Sequence, residues 1–377
     1  MKRGYKKLLI FELIIFAILI LNSFVWNILS SYRISIFLLV VLLAFKYIFG
    51  FEKDKHRYTK DIIMEVIIFL FAFFILYYLF GVVISFYKTG NHYTLIGLRE
   101  FILPTMLYVF LKEYFRYAVM CKSEGSKLLF ITSTIMFIAL DITTAVYFRN
   151  FNTSYSVFLF IALTVLPAIS SNTILCYFTN KTGYKPLMIY SGVIGLYTYL
   201  VPIAPNPNQY ILAIIRFLLP IILGYRLYMF LNKDHKREVY RDYRKKSFAP
   251  LLIGSFIVIL LVYFTSGYFH FWTIAVASGS MNPAIKKGDV VLIEKIGKKY
   301  DKLKEKQIVA FKHEGVIVVH RLVNIEKEQG EYYFYTKGDA NAKPDNFMLK
   351  ENEIIGVVNH KIRYIGIPTV WIHELWS

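Results

Sequence analysis

The sequence predicts a membrane protein in two parts: an α-helical polytopic N-terminal region of about nine transmembrane helices, then a small all-β domain. Three observations carry that expectation. Of the 377 residues 56% are hydrophobic and 18% aromatic, and the mean hydropathy is +0.49; so apolar a chain is not an ordinary soluble protein. The apolar residues gather into runs of about 20, the length that crosses a hydrocarbon core of about 30 Å. Residues 277–377 then change character, with short β-rich runs between polar turns.

Nine apolar runs follow one another at 8–26, 34–51, 62–87, 98–114, 128–147, 157–178, 187–204, 210–230 and 250–273. The second and fourth are short, and a count of eight is the main competitor. The first, MKRGYKKLLIFELIIFAILIL, has a basic start like a signal peptide, but its run is long and no small-x-small site follows, so it reads as a first membrane helix. Asp141 and Arg216 fall inside the fifth and eighth runs at matching depth, and an ion pair between them is expected because charges inside a span are costly.

Charge supplies a separate test. The formal net charge is +19, and 28 of the 44 Lys and Arg residues precede Ala277 in short clusters between apolar runs. Such clusters are topology signals in preference to a nucleic-acid surface. With the N-terminus cytoplasmic, the inside segments MKRGYKK, EKDKHRYTKD, KEYFRYAVMCKSEGSK, NKTGYKP and YRLYMFLNKDHKREVYRDYRKKS carry 4, 4, 4, 2 and 8 basic residues. The outside loops carry Arg33, then Lys88 and Arg99, then Arg149, then none. The alternation predicts nine crossings, N-terminus inside and C-terminus outside. Cys121 and Cys176 imply no disulfide framework.

In the polar part the runs VVLIEK, QIVAF, GVIVVHRLVNI, YYFYT and EIIGVV read as strands of a small all-β domain. About 100 residues suffice for one core. The final YIGIPTVWIHELW is too short to span and is expected at the membrane interface. The expected organisation is 1–249 polytopic, 250–273 a membrane helix leading into the next domain, and 274–377 an extracytoplasmic domain.

Chemistry-bearing residues cluster in that domain. Ser280, in TIAVASGSMNPAIKKGD, is a nucleophile only if a base removes its proton; by itself a serine before a proline turn is ordinarily a turn residue. His313, His320, His360 and His373 are the available histidines. Alternation in GVIVVHRLVNI puts Val316, Val318, His320 and Leu322 on one face. A histidine there is commonly a hydrogen-bonded core residue, but this strand offers it no polar partner of its own. KGDANAKPDNF supplies Asp339 and Asp345. Either is a turn aspartate or the carboxylate that accepts the imidazole N–H and orients the ring.

In that order and spacing, SGSMNPAIKKGDVVLIEK, VVHRL and YTKGDANAKPD resemble the successive sequence boxes of type I signal peptidases, over about the last 110 residues. The resemblance implies Ser280 as nucleophile, Ser278 or a backbone group near it at the oxyanion, and Asp339 and Asp345 as the acidic box, with Asp345 taken as nearer the imidazole. His320 stands where the bacterial branch has lysine, as in the endoplasmic-reticulum and archaeal branch with its Ser-His-Asp site. Lysine, ordinarily near a pKa of ~10.4, must be depressed before it acts as a base, whereas imidazole, ordinarily near ~6.5, titrates close to neutrality. The many helices depart from the family's usual one or two.

The function expected is removal of N-terminal signal peptides from translocated precursors by a plasma-membrane serine endopeptidase, without metal or other cofactor. The expected partners are signal-peptide-bearing precursors, membrane lipid and the protein translocon, with no nucleic acid. Ser280 is about seven residues past the expected end of the ninth helix, close to where a signal peptide's own apolar segment ends. The substrate would pair as a strand beside the segment leading to Ser280, with Ile274, Val276, Met281 and Ile317 as pocket walls. Two competitors differ in class. A metal hydrolase using His313, His320, Asp339 and Asp345 lacks helical i, i+4 spacing of its histidines; a polytopic transporter or scaffold would carry the peptidase-like module in silent form.

Overall fold

The computed structural model describes residues 3–22, 31–50, 59–90, 94–146, 151, 153–233, 249–297, 299–328 and 330–376. Two compact units divide between Ser255 and Phe256. Nine helical segments precede the large sheet among the described residues: α1 Arg3–Leu21, α2 Ser31–Phe49, α3 Thr59–Ile84, α4 Leu103–Ser123, α5 Lys127–Val146, α6 Ser154–Thr182, α7 Tyr184–Leu200, α8 Gln209–Lys233 and α9 Ala249–Thr265. A short turn, Leu95–Gly97, and a π-helical segment, Leu98–Ile102, lead into α4. A small ribbon pairs β1 Phe86–Lys88 with β2 Ile203–Pro205.

Five of these helices, α2, α3, α5, α6 and α8, are long and apolar enough to cross a membrane by length and composition. The expected nine crossings are therefore not established by that measure. The shortfall has physical reasons: α1 carries Arg3, Lys6, Lys7 and Glu12, α4 carries Lys112, Glu113, Arg116 and Lys122, and α7 and α9 have 17 residues each.

Helix α4 corrects one loop assignment. The stretch beginning at Lys112, expected as a cytoplasmic loop, continues as helix to Ser123 and buries Lys112, Glu113 and Arg116. Glu113 and Arg116 pair within the helix, while Asp141 and Asn172 of neighbouring helices take Lys112 and Arg116, partners that a charge count along the chain cannot register. The basic segments at 52–58 and 234–247 lie outside the described residues, as does Arg149.

Packing in the helical unit forms two clusters. Leu8 and Leu19 of α1, Leu38 and Phe45 of α2, Phe115 and Val119 of α4 and Phe137 of α5 make the first. Ile62 and Val66 of α3, Leu175 and Phe178 of α6, Leu187 of α7, and Leu223 and Leu227 of α8 make the second. Lipid is as apolar as these side chains, so close packing and internal hydrogen bonds hold such helices together. Gly224 shows how close the packing is: a Cβ there would stand 2.9 Å from Ile174 Cγ2. Polar groups are paired within the bundle, with Glu12 accepting the Thr132 and Ser133 hydroxyls at 2.5 and 2.6 Å and Glu65 bonded to Arg226.

The expected Asp141–Arg216 pair does not form. Asp141 Oδ1 instead takes Lys112 Nζ at 2.6 Å and the Tyr108 hydroxyl at 2.7 Å, and Oδ2 takes Asn172 Nδ2 at 2.7 Å. Neighbouring helices α4 and α6 supply the partners.

In the second unit a seven-stranded antiparallel sheet runs in the order β3, β4, β9, β5, β6, β7, β8. The strands are β3 Phe271–Ala275, β4 Val290–Lys295, β5 Ile308–His313, β6 Val316–Glu328, β7 Glu331–Lys337, β8 Leu349–Lys350 and β9 Ile354–Ile362. The five expected strands are β4, β5, β6, β7 and β9, the last running on to Ile362; β8 and β3 were not expected. Helix α9 ends at Thr265, and Phe271–Ala275, whose first three residues were expected within the ninth helix, is instead the edge strand β3. The turn between them has Gly267 at φ +71°, and Trp272 Nε1 and Thr273 Oγ1 donate back to the carbonyls of Thr265 and Phe264, each at 3.3 Å.

Both faces of the central strands are buried, because the period-2 alternation carries apolar residues at odd and even positions alike. Ala310 and Val319 join Val276, Met281, Ile285, Val291 and Ile293 on one side. Val309, Phe311, Val318 and Leu322 join Phe334 and Leu349 on the other. The β5–β6 hairpin closes through Glu314 and Gly315, at φ 49° and 85°, the two positive angles that a tight two-residue hairpin loop requires. The chain ends in helix α10, Ile367–Trp376.

Candidate active site

Three segments bring the chemistry together. The turn after β3 carries Ser280, strand β6 carries His320, and the loop after β7 carries Asp345. The serine turn is tied by Asn282 N–H to the Gly279 carbonyl at 3.0 Å and Ile285 N–H to the Met281 carbonyl at 2.9 Å. Met281 and Ile285 are fully buried beneath it, so the turn is anchored by its apolar residues while Ser280 stays partly accessible. Buried Asp289 holds the far side, its Oδ2 accepting Lys286 N–H at 3.0 Å.

The loop after β7 folds back over that strand. Asp345 N–H donates to the Thr336 carbonyl at 2.9 Å, and Ala340 N–H donates to the Ser280 carbonyl at 2.8 Å. Gly338 makes the second approach possible: a Cβ there would meet the Ser280 carbonyl oxygen at 2.7 Å. Nucleophile turn and acidic loop are thus joined by backbone contacts.

A continuous polar chain results. Ser280 Oγ lies 3.1 Å from His320 Nε2, and His320 Nδ1 lies 2.7 Å from Asp345 Oδ2. Asp345 Oδ2 also accepts the Thr336 hydroxyl at 2.6 Å. The His320 and Asp345 side chains are only 9% and 8% exposed, and the edge of the imidazole meets the Phe311 ring, so the histidine has little freedom to turn. Ser278 Oγ is 3.3 Å from Ser280 Oγ, on the exposed side.

Asp339 stands elsewhere. Arg321 follows His320 and points to the opposite face of β6; its Nε and Nη2 donate to the two Asp339 oxygens at 2.8 and 2.6 Å, and Nη1 to the Lys306 carbonyl at 2.8 Å. Those hydrogen bonds to Asp339, above all, raise the Arg321 pKa beyond its already high ordinary value. The pair is a two-pronged clamp of the strong kind, and it fastens the Gly338–Asp339 turn to β6.

Of the residues expected as pocket walls, Val276 and Met281 are core side chains, Met281 with no exposed surface. A side chain so enclosed does not touch a bound residue, which corrects that expectation for Met281 and leaves Val276 marginal. Ile274 and Ile317 are half-buried. His313 stacks on Phe347 and is not part of the Ser280 chain. Among the described residues no cluster of three or more His, Cys, Asp or Glu has metal-binding geometry. Sequence reasoning missed Thr336, Gly338 and the Arg321 clamp. A threonine in a strand gives no signal for its hydroxyl, whereas the Gly next to Asp339 was a visible mark of close approach.

Chemically the arrangement suits acyl transfer: a hydroxyl within reach of an imidazole nitrogen whose other nitrogen faces a carboxylate. It lies on an antiparallel sheet that follows an apolar helix. The family model described as "Signal peptidase, peptidase S26" matches residues 251–339. The signal peptidase complex catalytic subunit SEC11C, from Homo sapiens and from Canis lupus familiaris, is 30% identical over 156 residues, 38% of this chain and 78% of the relative. The catalytic subunit SEC11 of Lodderomyces elongisporus is 30% identical over 115 residues, 28% and 68% of the two chains. This chain belongs to the type I signal peptidase family, peptidase S26, on the side of its endoplasmic-reticulum-type members.

Proposed function

We propose that this protein is a membrane-bound serine endopeptidase that removes N-terminal signal peptides from translocated precursors, with Ser280 as nucleophile and His320 as general base. The observation that carries the proposal is the Ser280–His320–Asp345 hydrogen-bonded chain, in a member of a signal peptidase family. Ser280 Oγ attacks the scissile carbonyl carbon as His320 Nε2 takes its proton, and Asp345 holds the ring and stabilises the imidazolium. The Ser278 hydroxyl, with backbone N–H groups, meets the oxyanion. The imidazolium gives its proton to the leaving amine as the C–N bond breaks. Water then enters by the same path, releases the signal peptide's carboxylate and restores the serine. Asp339 acts one step away, by holding Arg321 and the turn.

Strand β3 is the sheet's terminal strand and runs directly toward Ser280. An extended substrate adds there as a further strand, with Ile274 and Ile317 lining the contact. Ser280 is 15 residues past Thr265, the end of α9, and β3 covers part of that interval, so the nucleophile stays near the outer membrane surface. Helices α1–α9 form nine crossings, with the N-terminus cytoplasmic, residues 274–377 extracytoplasmic and the plasma membrane as the site; the nine helical segments and the basic clusters support this count. The translocon and membrane lipid are the further partners.

The test is processing of a signal-bearing precursor by the purified full chain in liposomes, beside Ser280→Ala. Cleavage at the small-x-small site by the wild type alone is expected. Cleavage by the variant at a normal rate sinks the assignment, and loss of activity with a chelator points to a metal hydrolase.

A further inference from the structure

Within the helical unit, α3 to α8 surround a cavity of about 560 Å³, inside the roughly 300–1,000 Å³ range of small-molecule sites. Phe73, Leu212 and Ile215 give it apolar walls, and Lys112, Glu113, Asp141 and Arg216 bring charge to it. None of these groups takes part in the Ser280 site.

The lining charges are not evenly paired. Lys112 is taken by Asp141 at 2.6 Å. Fully buried Arg116 stands 3.4 Å from Glu113, whose Oε1 accepts the Ser191 hydroxyl at 3.0 Å, and Arg116 Nη2 donates to Asn172 at 2.7 Å. Arg216 has no carboxylate within ion-pair distance among the described residues; its Nη1 reaches the Leu163 carbonyl at 3.5 Å. Among the charged residues lining the cavity, Lys112 thus pairs with Asp141 and Glu113 with Arg116 behind the wall, which leaves the exposed Arg216 as the lining cation without a carboxylate among the described residues. A guanidinium within an apolar span is costly unless it has a partner or a polar cavity.

The helix backbones are irregular around the same cavity. π-Helical segments stand at Leu98–Ile102, just before Pro104, and at Ile161–Val165, just before Pro167. Such segments recur at functional sites. Pro167 has no N–H to offer the carbonyl four residues earlier, and that carbonyl, of Leu163, is the one Arg216 contacts. Pro220 lies inside α8, one turn past Arg216. Helix α6 is thus irregular at the carbonyl that Arg216 contacts.

We propose that this cavity binds an anionic amphiphile, with its carboxylate or phosphate on Arg216 and its alkyl chain along Phe73, Leu212 and Ile215. The lack of a carboxylate partner at Arg216 sets the sign of the head. The apolar walls beside it set the rest of the molecule.

The test titrates the full-length purified protein, in a neutral detergent, with oleate, with phosphatidylglycerol and with phosphatidylcholine, and counts bound molecules by native mass spectrometry. One oleate or one phosphatidylglycerol per chain is expected, the first result naming a fatty-acid source and the second a phospholipid. Arg216→Gln should weaken that binding at least about tenfold, as loss of a charge-assisted contact implies, and Arg216→Lys should weaken it less. Equal binding of phosphatidylcholine, or unchanged affinity in a folded Arg216→Gln, overturns the proposal. If Arg216→Gln does not fold, Gly195→Leu serves: a Cβ there meets Thr105 and Val109 at ordinary distances of 3.6 and 3.8 Å, and the larger side chain fills the cavity. Loss of the bound amphiphile in that variant supports the site, and undiminished binding refutes it.

Discussion

Asp345 and His320, 25 residues apart in sequence, meet at 2.7 Å between Oδ2 and Nδ1, while Asp339 is fully engaged with Arg321 on the other side of the same strand. The two aspartates of one short loop therefore have different work. Asp345→Ala should lower kcat/KM for precursor cleavage by about 10²–10⁴-fold, the scale seen when a triad carboxylate is lost. Asp339→Ala should cost less, and Arg321→Lys should follow Asp339→Ala because lysine cannot make the two-pronged contact. Steady-state cleavage of a purified precursor ranks them; a larger loss in Asp339→Ala reverses the assignment.

Thr336→Val tests the support of that carboxylate. It removes one hydrogen bond to Asp345 Oδ2 in a fully buried position while keeping the shape of the side chain. A loss of roughly tenfold in kcat is expected, from about 1.5 kcal/mol for a hydrogen bond to a charged group. A fall confined to KM would place Thr336 outside catalysis.

Ser278→Ala should reduce kcat by about 10- to 1000-fold, the range for loss of one oxyanion donor. Ser278 is exposed and its hydroxyl contacts Ser280, so the thermal midpoint should hardly move. Turnover at the wild-type rate would remove Ser278 from the oxyanion site and leave backbone N–H groups to serve it.

Gly338→Ala adds a methyl that collides with the Ser280 carbonyl oxygen. The acidic loop and the nucleophile turn must then separate, stretching the Ala340 to Ser280 hydrogen bond. Overpacking of this kind costs about 1–3 kcal/mol, and small displacements of a nucleophile lower kcat steeply. A circular-dichroism melt with single-turnover cleavage measures both; an unaffected rate would show that the loop yields without moving Ser280.

In the helical unit, Lys112→Met should destabilise by about 3–5 kcal/mol, because it leaves Asp141 buried without its cation. Lys112→Met combined with Asp141→Leu should recover part of that loss. Detergent-resistant unfolding of the two single variants and the double variant completes the cycle, and purely additive effects would mean that the 2.6 Å contact is not coupled.

Much was legible along the chain because it depends on neighbours in sequence. Apolar runs of spanning length marked the positions of α1–α9, and period-2 runs such as VVLIEK marked β4 residue for residue. The boxes around Ser280, His320 and Asp339 carried the family, since a nucleophile turn, a strand histidine and a Gly-Asp loop keep their order and spacing in sequence. Tertiary structure decided what depends on which segments meet. Residues 271–273 continue an apolar run and read as helix until Gly267 turns them back and β4 offers them hydrogen bonds. Lys112 to Arg116 reads as a solvated loop until Asp141, Glu113 and Asn172 compensate its charges inside the bundle. Asp141 and Arg216 were expected to pair from depth, which rise per residue sets, but helix neighbours set the partners. Asp339 and Asp345 were two carboxylates in one irregular loop, with Asp345 taken as nearer the imidazole but no partner for Asp339; adjacent residues of β6 point to opposite faces and send His320 to Asp345 and Arg321 to Asp339.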